Sequence, residues 1–350
     1  MAIDWHAART GAFRFVRVGF STRDELEEIA TIRPGGSLTR NVNTSLKEAG
    51  QLTAAGPLSI GDDLLRVYYD VTDEDGASES IAIATMHAAT ERSDFSAASE
   101  ACSLRLYSAL LALEQDRLDA SLTVASGTVA VSKAAEIAVD LGLPVVASAS
   151  SKTLTADMSW DAGTTRLEVV NDLLEFAGFW SAGVDGWGRV VMAPYESPAA
   201  RSVAWTFQSG EGCTFLPSVS RATDAFDVPN KCVLVASMLD STLVGSYTND
   251  DPLSPFSTVS RGRTIAITDT VSDAETTEDL VARAQMRLAA ATSSSETVVL
   301  SHAYAPVTIG DAVRLRWSGR GIDHDAAVQS QELTLVPSLM TRTTAKRIWR

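Results

Sequence analysis

Four histidines, three cysteines and several acidic clusters are the side chains in this 350-residue sequence with the chemistry for catalysis or metal binding. The histidines are His6, His87, His302 and His324. A helical zinc site needs two imidazoles one turn apart; none of the four pairs that way, and no H-E-x-x-H occurs. Asp323-His324-Asp325 offers nitrogen and oxygen ligands to a cation, but between Gly321 and Ala326 it reads as a loop whose charges face water. His87 and His302 each close a strand-like run and read as packed or solvent-facing. Asp70, Asp73, Glu74 and Asp75 lack the ligand period of an EF-hand and read as a solvated hairpin tip. Ser209-Gly210-Glu211-Gly212-Cys213 is glycine-rich but has neither a P-loop lysine nor the strand–loop–helix setting. No G-x-S-x-G nucleophile elbow occurs. Cys102, Cys213 and Cys232 are odd in number and far apart, which excludes a disulfide scaffold and leaves three ordinary thiols. Paired carboxylates of the glycosidase kind meet only in a fold, so 44 acidic residues carry no signal for them. Trp160, Trp180, Trp187 and Trp205 would make a sugar platform if exposed; beside predicted strands they read as core or interface. No catalytic residue, no cofactor and no metal ligand is assigned on these grounds.

The elements that would position these residues change character along the chain. Ala12–Phe20 alternates apolar and charged residues near the period of a half-buried strand. Arg23–Ile29 is charged and reads as one or two helical turns. Pro34-Gly35-Gly36 punctuates the chain before a strand over Ser37–Asn41. Leu64–Val71 and Ser80–His87 read as a hairpin around Asp73-Glu74-Asp75-Gly76, whose glycine supplies a positive φ. On that reading Gly76→Val would expose strand edges and cause aggregation.

The middle reads as α+β. Helices are expected over Val131–Leu141, ending at Gly142 before a strand at Val145–Ala147, and over Thr164–Phe176, ending near Gly178. Strands at Phe179–Ala182 and Arg189–Met192 would straddle the turn Asp185-Gly186-Trp187-Gly188. The last third returns to strands at Lys231–Ala236, Gly262–Thr268, Thr297–His302, Ala312–Trp317 and Glu332–Val336. One helix interrupts them over Thr277–Ala290, entered by Thr276 and Asp279 in a capping-box-like pattern with Leu280, Ala284 and Leu288 as its buried stripe. Arg342–Arg350 reads as a loose basic tail.

Composition limits the function classes. A hydrophobic content of 45% and a charged content of 21% describe a folded chain, and the length suits two or three domains. The start, MAIDWHAARTGAFRF, does not read as a signal peptide, and no apolar run is long enough for a membrane helix. No membrane insertion by this chain is expected. A net charge of −15 repels phosphate backbones, so nucleic-acid binding is disfavoured. It suits a conduit that DNA must pass without sticking.

Four stretches carry a resemblance. Gly35–Ala55 (GGSLTRNVNTSLKEAGQLTAA) leads to Ile60-Gly61-Asp62-Asp63 and the strand LLRVYYDV. Leu106–Leu113 (LYSALLAL) precedes the α+β stretch. Thr165–Tyr195 has the order helix, Leu-Leu, Ala-Gly-Phe, Asp-x-x-Gly and a strand ending in Pro-Tyr. Val228–Leu315 carries Val233-Leu234-Val235, Asn249-Asp250-Asp251-Pro252, Ser260-Arg261-Gly262-Arg263 and Ile309-Gly310-Asp311-Ala312-Val313. In this order they resemble the tail hub (baseplate hub or minor tail) proteins of long-tailed bacteriophages, most of all the actinobacterial-phage type. The lytic or peptidase extension and the fibre-attachment modules that some hubs carry have no counterpart in these stretches.

The resemblance implies a mainly β fold with an α+β insertion. Two tail-tube-like β-barrel domains, at 1–103 and 201–350 (the second with one helix), would flank an α+β middle domain at 104–200 built of two helix-strand halves. It implies a homotrimer whose six barrels form a ring adapting the sixfold tail tube to the threefold tip of the virion, with genome DNA passing through the lumen without specific binding. Neighbouring tail proteins would be the distal tail protein, the tape measure protein and tip or fibre proteins. The loops Thr72–Gly76 and Asn249–Pro255 are candidate contacts. Two other readings stay open: a receptor- or glycan-binding tail protein, and a cell-wall hydrolase.

Overall fold

The computed structural model describes residues 3–348 apart from 34, 57, 59, 96–99, 211, 224–225, 238–241, 272–275 and 293–295. Pro34 of the expected turn, Glu211 of the glycine-rich run and the last two residues of the expected tail lie outside the described residues. Strand makes up 47% of the chain and helix 16%, so the fold is mainly β.

Seven strands come first: β1 (Arg9–Val18), β2 (Glu25–Glu28), β3 (Ser37–Asn41), β4 (Glu48–Ala54), β5 (Leu64–Asp73), β6 (Ser78–Phe95) and β7 (Glu100–Ser108). They run β3-β4-β7-β6-β5-β1-β2, each pair antiparallel. The segment expected as helical turns, Arg23–Ile29, is instead strand β2 laid along β1. Leu26 and Ile29 are too few apolar residues to hold a helix of this segment against a core, whereas pairing of Glu25–Glu28 with β1 satisfies the backbone.

The β5–β6 hairpin turns where expected, with Gly76 at φ 83°. Its acidic tip is more than a solvated loop. Asp73 is buried, and its Oδ1 accepts from the amides of Asp75 (3.1 Å) and Ala77 (2.9 Å). The amide of Asp4 donates to its Oδ2, and these amides together hold the carboxyl below the ordinary carboxylate range.

The middle of the chain forms α1 (Leu111–Gln115), β8 (Leu122–Val124), α2 (Ala130–Asp140), β9 (Val145–Ala147), β10 (Met158–Trp160), α3 (Arg166–Ala177), β11 (Gly183–Val184) and β12 (Val190–Met192). Strand β11 starts later than the expected Phe179–Ala182, since only Gly183 and Val184 find partners on β12. Both long helices end beside the expected glycines, and Thr165 caps α3 by accepting from the Glu168 amide at 3.1 Å. Val131, Ala134 and Ala138 of α2 share a core with Leu167, Val170 and Leu174 of α3. Parallel β9 and β12 complete the unit.

The last third begins with β13 (Val203–Gln208) and β14 (Phe215–Thr223). A small unit follows: β15 (Lys231–Ser237), β16 (Thr242–Thr248), α4 (Thr258–Arg261), β17 (Ala266–Val271) and α5 (Thr277–Thr292). Its sheet runs β16-β15-β17 and has a core of its own, with Leu280, Ala284 and Leu288 of α5 against Cys232, Leu234 and Ala236. The expected strand at Gly262–Thr268 divides here: Gly262 caps α4, and pairing starts at Ala266. The chain then forms β18 (Glu296–Ala303), β19 (Ala312–Trp317), β20 (Ile322–Thr334) and β21 (Met340–Arg347).

Three expectations fail along these last strands. Asp323–Asp325 lies within β20 rather than in a loop. Glu332–Val336 is not a closing strand, because Glu332–Thr334 is the end of β20. The expected loose tail is strand β21, held between β18 and β20 with Thr341, Thr343 and Ala345 buried. Alternating Thr and Ala between basic residues gives it a β pattern that net charge conceals.

Strand β20 joins the two β regions. Its first half pairs with β19 and its second half with β3, in register Leu333 to Leu38, with a bulge at Val328/Ser330 on the β21 side. The result is one 13-stranded sheet. The two closed barrels expected above are not what the pairings describe; among the described residues they do not close. Leu333, Leu335 and Leu339 complete the core of the first seven strands.

Both hairpin strands β5 and β6 have neighbours on each side, so damage at Gly76 uncovers no edge. A Cβ there meets nothing within 4 Å. Gly76→Val is therefore expected to cost about 1–2 kcal/mol of left-handed backbone strain without aggregation. Urea denaturation, with sedimentation of the same sample, measures both.

Candidate functional site

The histidines are packed rather than gathered. His302 Nδ1 lies 2.7 Å from the Ala303 carbonyl, which can only accept, so that nitrogen carries the proton. Nε2 then accepts from the Thr343 hydroxyl at 2.8 Å. A hydroxyl donating to an imidazole is half of a nucleophile–base pair. Here both residues are buried, and Phe207 sits 4.5 Å from the ring, so no substrate could reach them. Burial pushes the His302 pKa down to about 4.

Asp323-His324-Asp325 is pinned from both sides of β20. Arg314 reaches Asp323 at 2.6 Å and Asp325 at 3.0 Å, and His324 Nε2 lies 3.1 Å from Glu296 Oε1. Arg347 holds the other Glu296 oxygen at 3.0 Å. Those carboxylates are committed to cations of the chain itself. Among the described residues no three potential ligands gather for a metal. The four tryptophans separate. Trp160 is core and donates to Asp172, while Trp205 stacks on His6 at 4.5 Å. Trp180 and Tyr195 are exposed side by side, with Arg201 over the Trp180 ring at 4.7 Å.

Two polar constellations that the sequence did not announce bridge parts of the fold. The first joins the β1–β7 sheet to the α+β unit. Arg66, buried on β5, donates to Thr85 Oγ1 at 3.0 Å and pairs with Glu25 at 3.2 Å. Thr85 donates in turn to the Gly186 carbonyl at 2.8 Å, and the Arg66 guanidinium lies 4.9 Å over the Trp187 ring. The Tyr68 hydroxyl and then Arg66 hold the Glu25 carboxyl below its ordinary range. The turn Asp185–Gly188 thus docks onto β6 so closely that a Cβ on Gly186 would lie 1.8 Å from the Ala82 carbonyl oxygen. The second crosses the β3–β20 seam, where register sets Gln331, Arg40 and Glu48 side by side. Arg40 pairs with Glu48 at 2.7 Å and donates to the Ile83 carbonyl; burial still raises the Glu48 carboxyl. A groove of about 540 Å³ lies along this seam, lined by Thr39, Tyr107, Glu332 and Arg342 among others.

The surface is otherwise one of open edges. Among the described residues, strands β13 and β14 are each paired on one side, as is β2 with exposed Glu25, Leu26, Glu27 and Glu28. Charged residues on β2 and Pro217 within β14 blunt pairing with arbitrary strands. Leu253 stands 91% exposed on a loop braced by Asn249, Asp251 and Ser254, within the expected contact segment Asn249–Pro255.

No protein-family model matches the chain, and no curated protein matches it. Solved structures do. A tail protein from Neisseria meningitidis MC58 shares 14% identity at a TM-score of 0.70, covering 96% of this chain and 98% of that one. The chain has a tail-protein fold. A 43 kDa tail protein of prophage MuSo2 from Shewanella oneidensis gives 0.67 at 11% identity, over 95% of this chain and 97% of that one. The E. coli c3393 protein, described as a type VI secretion component with structural similarity to T4 bacteriophage tail proteins gp27 and gp5, gives 0.52 at 9% identity over 93% and 76%. None of these three is from an actinobacterial source, and the actinobacterial type receives no support from them.

Gly186→Ala is expected to cost about 1–3 kcal/mol, because backbone rather than a movable side chain blocks the new methyl; a shift to lower urea midpoint in Trp fluorescence tests it. His302 generates a pH prediction. Its folded pKa lies below its unfolded value, so the unfolded chain binds more protons and stability falls as pH drops from about 6.5 to about 4. The loss attributable to this group is about 3 kcal/mol. Denaturation of His302→Gln at both ends of that window should show a pH loss smaller by that amount than the wild type.

Proposed function

We propose that this chain is a structural hub of a phage-type tail tip and works through interfaces, not catalysis. The observation that carries the reading is the match of nearly the whole chain to tail proteins, α+β insertion and both β regions included. On this reading residues 1–103 and 201–350 form the two tube-like domains and 104–200 the insertion between them. Three copies would supply six such domains to a ring, the geometry that adapts a sixfold tube to a threefold tip. A ring needs heterologous contacts, in which one face of a subunit meets a different face of the next. The open edges β2, β13 and β14, and the loops at Thr72–Gly76 and Asn249–Pro255, are the surfaces suited to them.

The partners would be copies of this chain, then the distal tail, tape measure and tip or fibre proteins. A net charge of −15 suits a lumen through which DNA passes without binding. One observation favours a second reading, a glycan- or receptor-binding tail protein: the exposed Trp180–Tyr195 pair beneath Arg201. Electron microscopy of the concentrated protein, with its mass in solution, separates the two. A threefold ring with six lobes and an open channel is the expected result. A monomer at every concentration that also binds host cell walls would favour recognition instead.

A further inference from the structure

The two β regions repeat one strand order. The first runs β3-β4-β7-β6-β5-β1, and the last third of the chain runs β14-β18-β21-β20-β19-β13. The first five strands of each series match in direction as well, every neighbouring pair being antiparallel. The match breaks at the sixth, since β1 is antiparallel to β5 and β13 is parallel to β19. Local detail repeats too. Ile60-Gly61-Asp62 precedes β5 and Ile309-Gly310-Asp311 precedes β19, with the two glycines at φ 58° and 89°. The fourth strand of each series carries a bulge against the third, at Thr90/Arg92 in β6 and at Val328/Ser330 in β20.

In each series the fourth strand outruns the fifth. Pairing with β19 ends at Ala327 of β20, and pairing with β5 ends at His87 of β6. Beyond that point β20 gives its edge to β3, the first strand of the other series, over Ser330–Thr334. Strand β6 has the same overhang, Ala88–Phe95, which among the described residues pairs with β7 alone. Strand β14, the counterpart of β3, pairs with β18 alone. One seam of the repeat is thus made within the chain, and both halves of a second are left open. Strands β18, β21, β20, β3, β4 and β7 stand between β14 and β6, so the chain does not bring its own two halves together.

We infer that β14 of one copy pairs antiparallel with the β6 overhang of the next copy, repeating between subunits the β3–β20 seam. The row Thr39, Ala49, Tyr107, His87, Leu64 corresponds to the row Ala222, Thr297, Lys346, Ala327, Ala312. Thr39 faces Glu332 in the existing seam, and carrying that register over sets Ala222 opposite Arg92, both of them exposed. The Ala303 amide donates to Thr214, so alternate residues of β18 bond to Ser220 and Ala222, and the Arg221 amide points to the open side. Pro217, which has no amide to donate, lies before this stretch. The contact joins the second β region of one subunit to the first of the next, the heterologous kind that closes a ring. Closure at three copies rests on the tail-hub reading; the strand pairing rests on the repeat.

Cysteine cross-linking of the full chain tests it. Cys213→Ser removes the exposed thiol, and Arg92→Cys and Ala222→Cys are then introduced together. Residues facing each other in a non-hydrogen-bonded antiparallel pair have Cα atoms about 4.5 Å apart, within reach of a disulfide. Oxidation of the concentrated protein is expected to give covalent trimers, and each single variant nothing above a dimer. If the double variant does not fold, mixing the two single variants should give the same 92–222 bond, read by peptide mapping. Arg221→Pro removes the outward amide and no bond within the subunit, so it should stay folded and sediment as a monomer. A trimer without the 92–222 bond would overturn the pairing and leave the hub reading standing. A cross-linked ladder that runs past three would keep the pairing and remove the hub's threefold count. Neither assembly nor bond at any concentration would overturn the pairing.

Discussion

The architecture depends on one long strand that joins two β regions into a single sheet. Strand β20 gives its first half to β19 and its second half to β3, while β21 runs along its other side. A strand of 13 residues can do this because its backbone bonds point to both sides along its whole length. The last residues of the chain thereby lock to some of the first, and Leu333, Leu335 and Leu339 fill the core of the opening strands. The first β region thus has no complete core without residues of the second, whereas the second packs a core of its own residues.

Charge is distributed in keeping with that constraint. The surface is acidic, whereas arginines mark the internal junctions: Arg66 beneath Trp187, Arg40 on Glu48 at the seam, and Arg314 and Arg347 around β20. A guanidinium suits such places because it bonds in several directions at once and stacks on an aromatic face. Each of these pairs has at least one buried member, so removing its partner strands a buried charge, and the pairs contribute less to net stability than to fixing one arrangement of the units. On the proposed hub reading, that fixity would present the open edges at β2, β13 and β14 at constant spacing.

The histidines illustrate how chemistry-bearing residues are absorbed into packing. His302 and Thr343 hold the geometry of a base and a hydroxyl, yet stand inside a sealed core. His324 and Glu296 do the same beside Arg347. The pairs form where β18 lies against its neighbours, and neither faces open space.

Much of the local structure was legible in the residues. Leu280, Ala284 and Leu288 fixed the buried face of α5, Gly142 and Gly178 the ends of α2 and α3, and Asp73–Gly76 the hairpin, because each follows from contacts within a few residues. The mainly β class and the central α+β region followed in the same way. Long-range pairing decided the rest. Glu25–Glu28 becomes a strand only because β1 offers it an edge, and Met340–Arg347 only because β18 and β20 leave a slot between them. The backbone approach at Gly186 depends on where the α+β unit docks, which no short-range pattern encodes. Periodicity reports which face of a segment is apolar; which surface covers that face is decided when distant segments meet.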